Sequence, residues 1–336
     1  MNRRDSVLAL LAAAAAGGSL PLRAQTPGGR RPFVIGLLPD FPKEWQVPKI
    51  LVAALAESGR VEGRDYVFHH SGVYYGGDTQ AALDSVMVTR PDLIFATNLG
   101  FAIAAHKVTK TIPIVMWTSG FPVEAGVADS LARPGRNVTG MTVYASGEVF
   151  GKLVQLVQEA KPGIRRVGAL MSYVPPFHPR AEADIIVRGM RDAAAPLGLD
   201  VRIFEISKNE HIDEALASVL AQGVEALVLT NDPVMIPRLK DIYRFATERR
   251  LPMISDAEFR ELGPPQPLLS YRADFGRLMG QAASYVNRIL WQGAKPGDLP
   301  IQLPARFVFE VDLATAKAIG LVVPKPLLLR ADGVFE

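Results

Sequence analysis

Residues 112 to 126 read IPIVMWTSGFPVEAG. Ile112 to Trp117 is apolar enough to lie in the middle of a sheet, yet it breaks at once into Thr118-Ser119-Gly120-Phe121-Pro122, small polar groups beside an aromatic that looks exposed. A short apolar run bounded by turn residues is the pattern of a strand covered on both faces, as in a parallel sheet. In such sheets ligands bind outside the carboxyl ends of the strands, so the break reads as the edge of a site.

The rhythm around this run is regular. A strand over 33–38 leads to a helix marked by Ile50, Leu51, Ala54 and Leu55 and stopped at Ser58-Gly59. A strand at 66–70 follows, then a helix capped at Asp78 or Thr79, with Ala82, Leu83, Val86 and Met87 on its apolar face and Pro91 at its end. Strand 93–96, helix 101–108 and strand 112–117 complete the first run. After a helix around 148–160 and the break Lys161-Pro162-Gly163, strands at 167–171, 201–204, 226–229 and 252–254 alternate with helices at 181–197, 212–221 and 236–248. Strand and helix alternating over short links is the signature of a doubly wound parallel sheet, and here it occurs twice. The two runs share element order and no sequence repeat. The tail differs: a helix at 275–290, a strand at 307–311 and a short helix at 313–319 closed by Gly320, able to pack on both lobes. The chain is therefore read as α/β, with two Rossmann-like lobes of parallel sheet. One lobe spans 33–142 plus about 274–299, the other 143–273 plus about 300–336.

The amino end carries Asn2-Arg3-Arg4-Asp5, a ten-residue apolar run from Val7 to Ala16, and small residues up to Ala24. Basic start, short apolar middle and small residue at the cut make a secretory signal over 1–24, cleaved near Ala24. The run is far below the roughly 18 to 20 residues that span a bilayer. The paired arginines suggest the twin-arginine route, although Asp5-Ser6-Val7 lacks the phenylalanine usual there. Residues 25–32, QTPGGRRP, form a tether with nothing to bury. The 336 residues are 49% hydrophobic and 21% charged and include no cysteine, so disulfides, thiolate chemistry and a cysteine lipid anchor are excluded. Removing Arg3, Arg4, Arg23 and Asp5 with the signal takes the formal net charge from +3 to +1, which leaves no global field to favour nucleic acid or membrane.

The sequence has no Gly-x-Ser-x-Gly, His-Glu-x-x-His or Gly-x-Gly-x-x-Gly, and Gly147 to Lys152 has the wrong glycine spacing for a phosphate loop. Of the histidines at 69, 70, 106, 178 and 211, only His69 and His70 are close, and neighbours on a strand face opposite sides, so no metal is expected. Asn137-Val138-Thr139 matches a glycosylation acceptor, but Pro134-Gly135-Arg136-Asn137 reads better as a turn. What remains is the set of strand ends. The first lobe offers Asp40 and Phe41; Thr97, Asn98 and Gly100; and Trp117, Thr118 and Ser119. The second offers Ser172 and Tyr173, Asn231 and Asp232, Asp256, and Tyr271 beside a second crossing between lobes. Each is a cap or turn residue on the plainest reading, and together they form two polar rims. The amides around 97–100, opening a helix, suit a carboxylate. Asp232 or Asp256 would pair an ammonium, and Trp117, Phe101 and Tyr173 would stack on a flat apolar group.

IPIVMWTSGFPVEAGVADSLARPGRNVTGMT, residues 112–142, resembles a segment of the exported substrate-binding proteins of ABC transporters, in the group allied to tryptophan- and tyrosine-binding proteins. SYVNRILWQGAKPGDLPIQLPARFVFEVDLATAKAIGLVVPKPLLLRAD, residues 284–332, is similar to that family's closing segment, and Glu62-Gly63-Arg64-Asp65 and the twin-arginine start agree. The resemblance implies a type I periplasmic-binding fold: two lobes joined by crossing strands, hinged near 141–144 and 270–274, closing on a small ligand. It implies a periplasmic monomer that hands its ligand to an ABC permease, with no cofactor, no catalysis, no nucleic acid and no insertion in the membrane. Phe121 stands where many members carry an aspartate before the proline, and an aromatic rim turns the expectation toward an aromatic acid or aromatic amino acid. The rival expectations are an α/β hydrolase using Asp40, Asp232 or Asp256 as base, and a periplasmic sensor.

Overall fold

The computed structural model describes residues 31–38, 46–73, 78–118, 120–144, 146–174, 180–230, 232, 234–257 and 259–336. The secretory signal, most of the tether, and the site candidates Asp40, Phe41, Ser119 and Asn231 lie outside the described residues.

Two sheets are present among them. The first contains β1 (Phe33–Leu38), β2 (Tyr66–His70), β3 (Leu93–Ala96), β4 (Ile114–Thr118) and β5 (Val138–Thr142), in the order β2-β1-β3-β4-β5 and parallel throughout. Alternate residues along these strands enter different cores, as the period of two demands. Ile35, Leu37, Leu93, Phe95 and Val115 pack with α1 (Gln46–Glu57) and α8 (Phe275–Gln292). Leu38, Ile94, Ala96, Ile114 and Met116 pack with α2 (Thr79–Met87) and α3 (Leu99–Val108). Of the two expected caps on α2, Asp78 is the one used: its carboxylate accepts from the amides of Gln80 and Ala81.

The second sheet holds β6 (Arg166–Ser172), β7 (Asp200–Ile206), β8 (Ala226–Leu229), β9 (Met253–Ser255), β10 (Leu269–Ala273), β11 (Phe307–Asp312) and β12 (Gly333–Phe335), in the order β12-β11-β10-β9-β8-β6-β7. From β7 to β10 it repeats the order of the first sheet. Only the β10–β11 pair is antiparallel. Its faces are covered by α4 (Glu148–Ala160) and α5 (Arg180–Ala194) on one side, and by α6 (Ile212–Ala221) and α7 (Leu239–Glu248) on the other. Two expected helices are shorter than their periodicity suggests, because their ends tighten into 3-10 turns at Ala195–Leu197 and Ile236–Arg238, each containing a proline. The strands at β10 and β12, and the short helices α9 (Leu313–Ile319) and α10 (Lys325–Leu328), complete the tail.

The chain passes between the sheets three times. It runs from β5 into α4, and from β10 into α8, which packs back on α1, β4 and β5. The last passage leads from Gln302 to β11. Before it, Gln302 pairs beside Met141, with its amide donating to Gly140 O at 3.0 Å and its carbonyl accepting from Thr142 N at 3.0 Å.

Glycines set one approach that positions the site. A Cβ at Gly189 of α5 would lie 2.0 Å from the carbonyl oxygen of Gly147, and one at Gly151 would lie 2.8 Å from Gly189 O. The glycines that fail as a phosphate loop therefore serve to bring α4 and α5 into backbone contact.

Asn137 lies buried immediately before β5. Its side-chain amide donates to Thr109 O at 3.0 Å and Ile112 O at 2.8 Å, and its Oδ1 lies 2.7 Å from Nδ1 of the buried His106. It is a structural tie with no free amide to modify. Replacing it, Asn137→Ala, strands two carbonyls and the imidazole, and is expected to lower stability by about 1 to 3 kcal/mol in chemical denaturation. Burial holds the His106 imidazole below its usual pKa, opposed in part by the Asn137 contact and reinforced by Lys110 and Arg136. The unfolded chain thus takes up the proton first as pH falls. The stabilising contribution is complete above a pH of about 6.5 and is lost as pH drops toward the folded-state value. Denaturation followed between about pH 7.5 and 5 should show a shallower decline for His106→Gln than for the wild type. Parallel declines would remove His106 from the account.

Candidate functional site

The strand ends of the two sheets converge on Tyr144. From the first sheet, β4 ends at Thr118, whose hydroxyl accepts from Gly120 N at 3.2 Å, and Thr142 at the end of β5 donates to Gly120 O. Gly120 is thereby clamped between two strand ends. The first residue of α3, Leu99, touches it: a Cβ at Gly120 would lie 2.5 Å from Leu99 Cδ2 and 2.9 Å from Leu99 Cβ. The same Cβ would lie 3.0 Å from Glu182 Oε1, which comes from the first turn of α5 on the second sheet.

Tyr144 follows β5 directly. Its ring stacks on Phe121, with centroids 5.9 Å apart and planes at 30°, and leans on Phe150 of α4 at 4.7 Å. Its hydroxyl donates to Asp256 Oδ2 at 2.5 Å, just past the end of β9. Burial, then the neighbouring Asp256 carboxylate, then Glu182 and Asp232 push the phenol well above its usual pKa, so it stays protonated and acts as a donor. Asp256 is 4% exposed, Glu182 6% and Asp232 8%. Three buried carboxylates thus act on one phenol. They are not arranged as a metal site: among the described residues no group of three His, Asp or Glu side chains is placed to hold an ion.

The other expected site residues take varied positions. Thr97 is buried and its hydroxyl donates to Leu38 O at 3.0 Å, while Asn98 caps α3 by accepting from Phe101 N at 2.8 Å. Gly100 lies buried in the first turn of that helix. Trp117 is half-buried and packs on the core beside α8. Ser172 is buried at the end of β6, and Tyr173 lies beneath the Arg180 guanidinium at 4.8 Å, with Arg180 also paired to Glu205 at 2.8 Å. Asp232 closes its own turn, accepting from Val234 N at 3.0 Å on Oδ1. Tyr271 is turned toward Phe307, its ring stacked at 5.1 Å.

The folded chain therefore groups Thr118, Asp232 and Asp256 around Tyr144, with the 97–100 turn adjoining through Leu99, while Tyr271 and Tyr173 have other partners. Two aromatics differ from the sequence expectation: Phe121 is 2% exposed because Tyr144 covers it, and Phe101 is buried in the core beneath α3. Tyr144, Glu182 and Gly120 are absent from the sequence-derived set. The strand-end rule applies to Tyr144, which follows the apolar run of β5, but nothing local marks Glu182 as inward-facing.

The sequence model of one family, described as ABC transporter substrate binding protein, matches residues 51–335. The chain belongs to that family. It is similar to a tyrosine-binding protein of Clostridioides difficile (strain R20291), 25% identical over 288 residues that cover 85% of this chain and 80% of the relative. Among solved structures it is similar to a Streptococcus pneumonia ABC domain in complex with L-Trp, at TM-score 0.77 and 21% identity, covering 90% of this chain and all of that one. A conserved domain protein from Vibrio cholerae matches at TM-score 0.77 and 23% identity, over 90% of this chain and 98% of that one. Both structures carry the type I periplasmic-binding fold, which this family member shares.

The contact at Gly120 is testable. Gly120→Val is expected to lower the melting temperature and enlarge the particle in solution scattering, since the added carbons must displace both Leu99 and Glu182. Gly280→Ala, with nothing within 4 Å of its Cβ, is the control. An unchanged melting temperature for Gly120→Val would show that this junction is loosely packed.

Proposed function

We propose that this substrate-binding protein is an exported component of an ABC importer and closes on a small, zwitterionic, aromatic ligand of amino-acid type. The observation that carries the reading is the convergence of strand ends from two like-ordered sheets on a buried tyrosine ringed by carboxylates. In open α/β sheets those ends are where ligands are held. Glu182, Asp232 and Asp256 provide the negative field that an ammonium needs, with Tyr144 orienting Asp256. The first-turn amides of α3, at Leu99 and Gly100 behind the Asn98 cap, are oriented for a carboxylate, as amides at a helix start are. Trp117, half-buried at the end of β4, offers an indole to a flat group. The similarity to a tyrosine-binding relative and to a domain solved with L-Trp supports an aromatic amino acid. The signal pattern supports export, and the three chain passages between the sheets supply the hinge about which both halves would meet the ligand. Membership of a binding-protein family favours a carrier over a hydrolase built on the same aspartates.

Calorimetric titration with L-tyrosine, L-tryptophan and L-phenylalanine tests the reading, after denaturation and refolding to strip any co-purified ligand. At least one should bind, and Asp256→Asn should weaken it about tenfold or more, equivalent to about 1.4 kcal/mol or more, by removing a buried charge from the ammonium position. If no amino acid binds and native mass spectrometry finds no co-purified small molecule, the ligand class is wrong. If Asp256→Asn binds as tightly as the wild type, the site is elsewhere.

A further inference from the structure

After α8 the chain does not cross at once to the second sheet. It runs along β5, the edge strand of the first sheet, and is bonded there repeatedly. Gly135 N donates to Gly297 O at 3.1 Å, Thr139 Oγ1 to Leu299 O at 2.7 Å, Ile301 N to Leu131 O at 2.7 Å, and Gln302 N to Gly140 O at 3.0 Å. Leu299 and Ile301 are buried, Ile301 in the core that holds Ile114 and Met116. Tyr285 of α8 fastens the end of this strap: its hydroxyl donates to Pro300 O at 2.6 Å and accepts from Gln302 Nε2 at 3.0 Å. Beyond Gln302 the bonding stops. Among the described residues, Leu303, Pro304, Ala305 and Arg306 make no backbone hydrogen bond, until Phe307 pairs with Ala273 in the second sheet. Leu303, Ala305 and Arg306 are exposed.

We propose that residues 297–302 move with the first half of the molecule and that the third passage turns at Leu303–Arg306, which makes this link a pivot of closure. The inference rests on the reading that the halves close on a ligand. A hinge is a short stretch that absorbs the change in backbone angles while the elements beside it keep their packing. Turning at 303–306 breaks no backbone hydrogen bond, whereas turning inside 297–302 strands carbonyls and amides along β5, each at a cost. Pro304 fixes its own φ and biases Leu303 to extended backbone, so the freedom of the link falls on Ala305 and Arg306. The other two passages leave the sheets abruptly. Val143, directly after β5, still donates to Thr118 O at 3.0 Å, and Asp274 alone separates β10 from α8. The Leu303–Arg306 link, in contrast, can be stiffened by one substitution that touches neither sheet.

The chain has no cysteine, so spin labels attach only where cysteines are introduced. Three exposed sites serve: Lys107 on α3, Asp298 in the strap and Lys317 on α9. Distances are measured in two doubly labelled proteins, Lys107→Cys with Asp298→Cys and Lys107→Cys with Lys317→Cys. Each is studied ligand-free and with saturating L-tyrosine, L-tryptophan or L-phenylalanine. The first pair is expected to give one narrow distribution in every sample. The second is expected to be broad without ligand, to shift on saturation with any probe that binds, and to narrow in ligand-free protein when Ala305→Pro is added. A Lys107–Asp298 distance that shifts with the Lys107–Lys317 distance would mean that the strap follows the second half. An unchanged Lys107–Lys317 breadth in Ala305→Pro would mean that the link is not a pivot; either result overturns the proposal. If none of the probes binds the wild type, the ligand reading fails, while the ligand-free breadths still decide the pivot. Should Ala305→Pro not fold, Pro304→Gly replaces it, with a broader Lys107–Lys317 distribution expected and an unchanged one counting against the pivot.

Discussion

A parallel strand with helices on both faces has no side that water can reach, and most of the architecture here follows from that. Along β1, β3 and β4 each residue must be apolar, because even and odd positions alike enter a core. Along β3, β4, β6, β8 and β9 the buried polar groups come where the strand runs out, whereas β5 also carries the fully buried Thr139, whose hydroxyl donates to Leu299 O at 2.7 Å. The buried polar residues Thr97, Thr118, Thr142, Ser172, Thr230 and Asp256 sit at or just beyond the carboxyl ends of β3, β4, β5, β6, β8 and β9. Each has its hydrogen bonds close at hand, commonly to a neighbouring strand end, as Thr97 has with Leu38 and Thr230 with Leu170. These polar groups gather at the strand ends for a packing reason before any functional one.

Where the rims meet, the constraint reverses. Glu182, Asp232 and Asp256 are carboxylates held almost entirely out of water, which is costly without a counter-charge or donors. Tyr144 supplies one donor to Asp256, and its raised pKa keeps that proton in place through the neutral range. Asp232 in turn accepts from Val234 N within its own turn, so the carboxylates are held in place by donors on the rims themselves. The same phenol is wedged between Phe121 and Phe150, so the electrostatics of this junction and its aromatic packing depend on one side chain.

Small residues make that junction possible. Gly120 lets Leu99 and Glu182 approach from opposite sides, and Gly147, Gly151 and Gly189 let α4 and α5 cross at backbone distance. The α4–α5 crossing fixes the separation between Tyr144, just ahead of α4, and Glu182, in the first turn of α5. A methyl group at either place would push the carboxylate away from the phenol, so part of the site's geometry is carried by residues with no chemistry of their own.

The order of strands and helices and the two-lobe plan were legible in the sequence, since periods of 2 and 3.6 and their Gly and Pro breaks are local properties. The family was legible too, in residues 112–142 and 284–332. Which strand-end residues look inward was not. Tyr271 lies next to β9 in the sheet but faces Phe307, because an antiparallel register with β11 decides its side. Tyr173 is covered by Arg180 from beyond its own strand, and Glu182 sits on a helix whose charged residues look alike in sequence. Phe121 reads as exposed after a glycine and is buried, with Tyr144 from another strand end stacked on its ring. Local pattern determined what each segment is; the assignment of partners across the two sheets depends on long-range register and helix crossing, which exist only once the chain has folded.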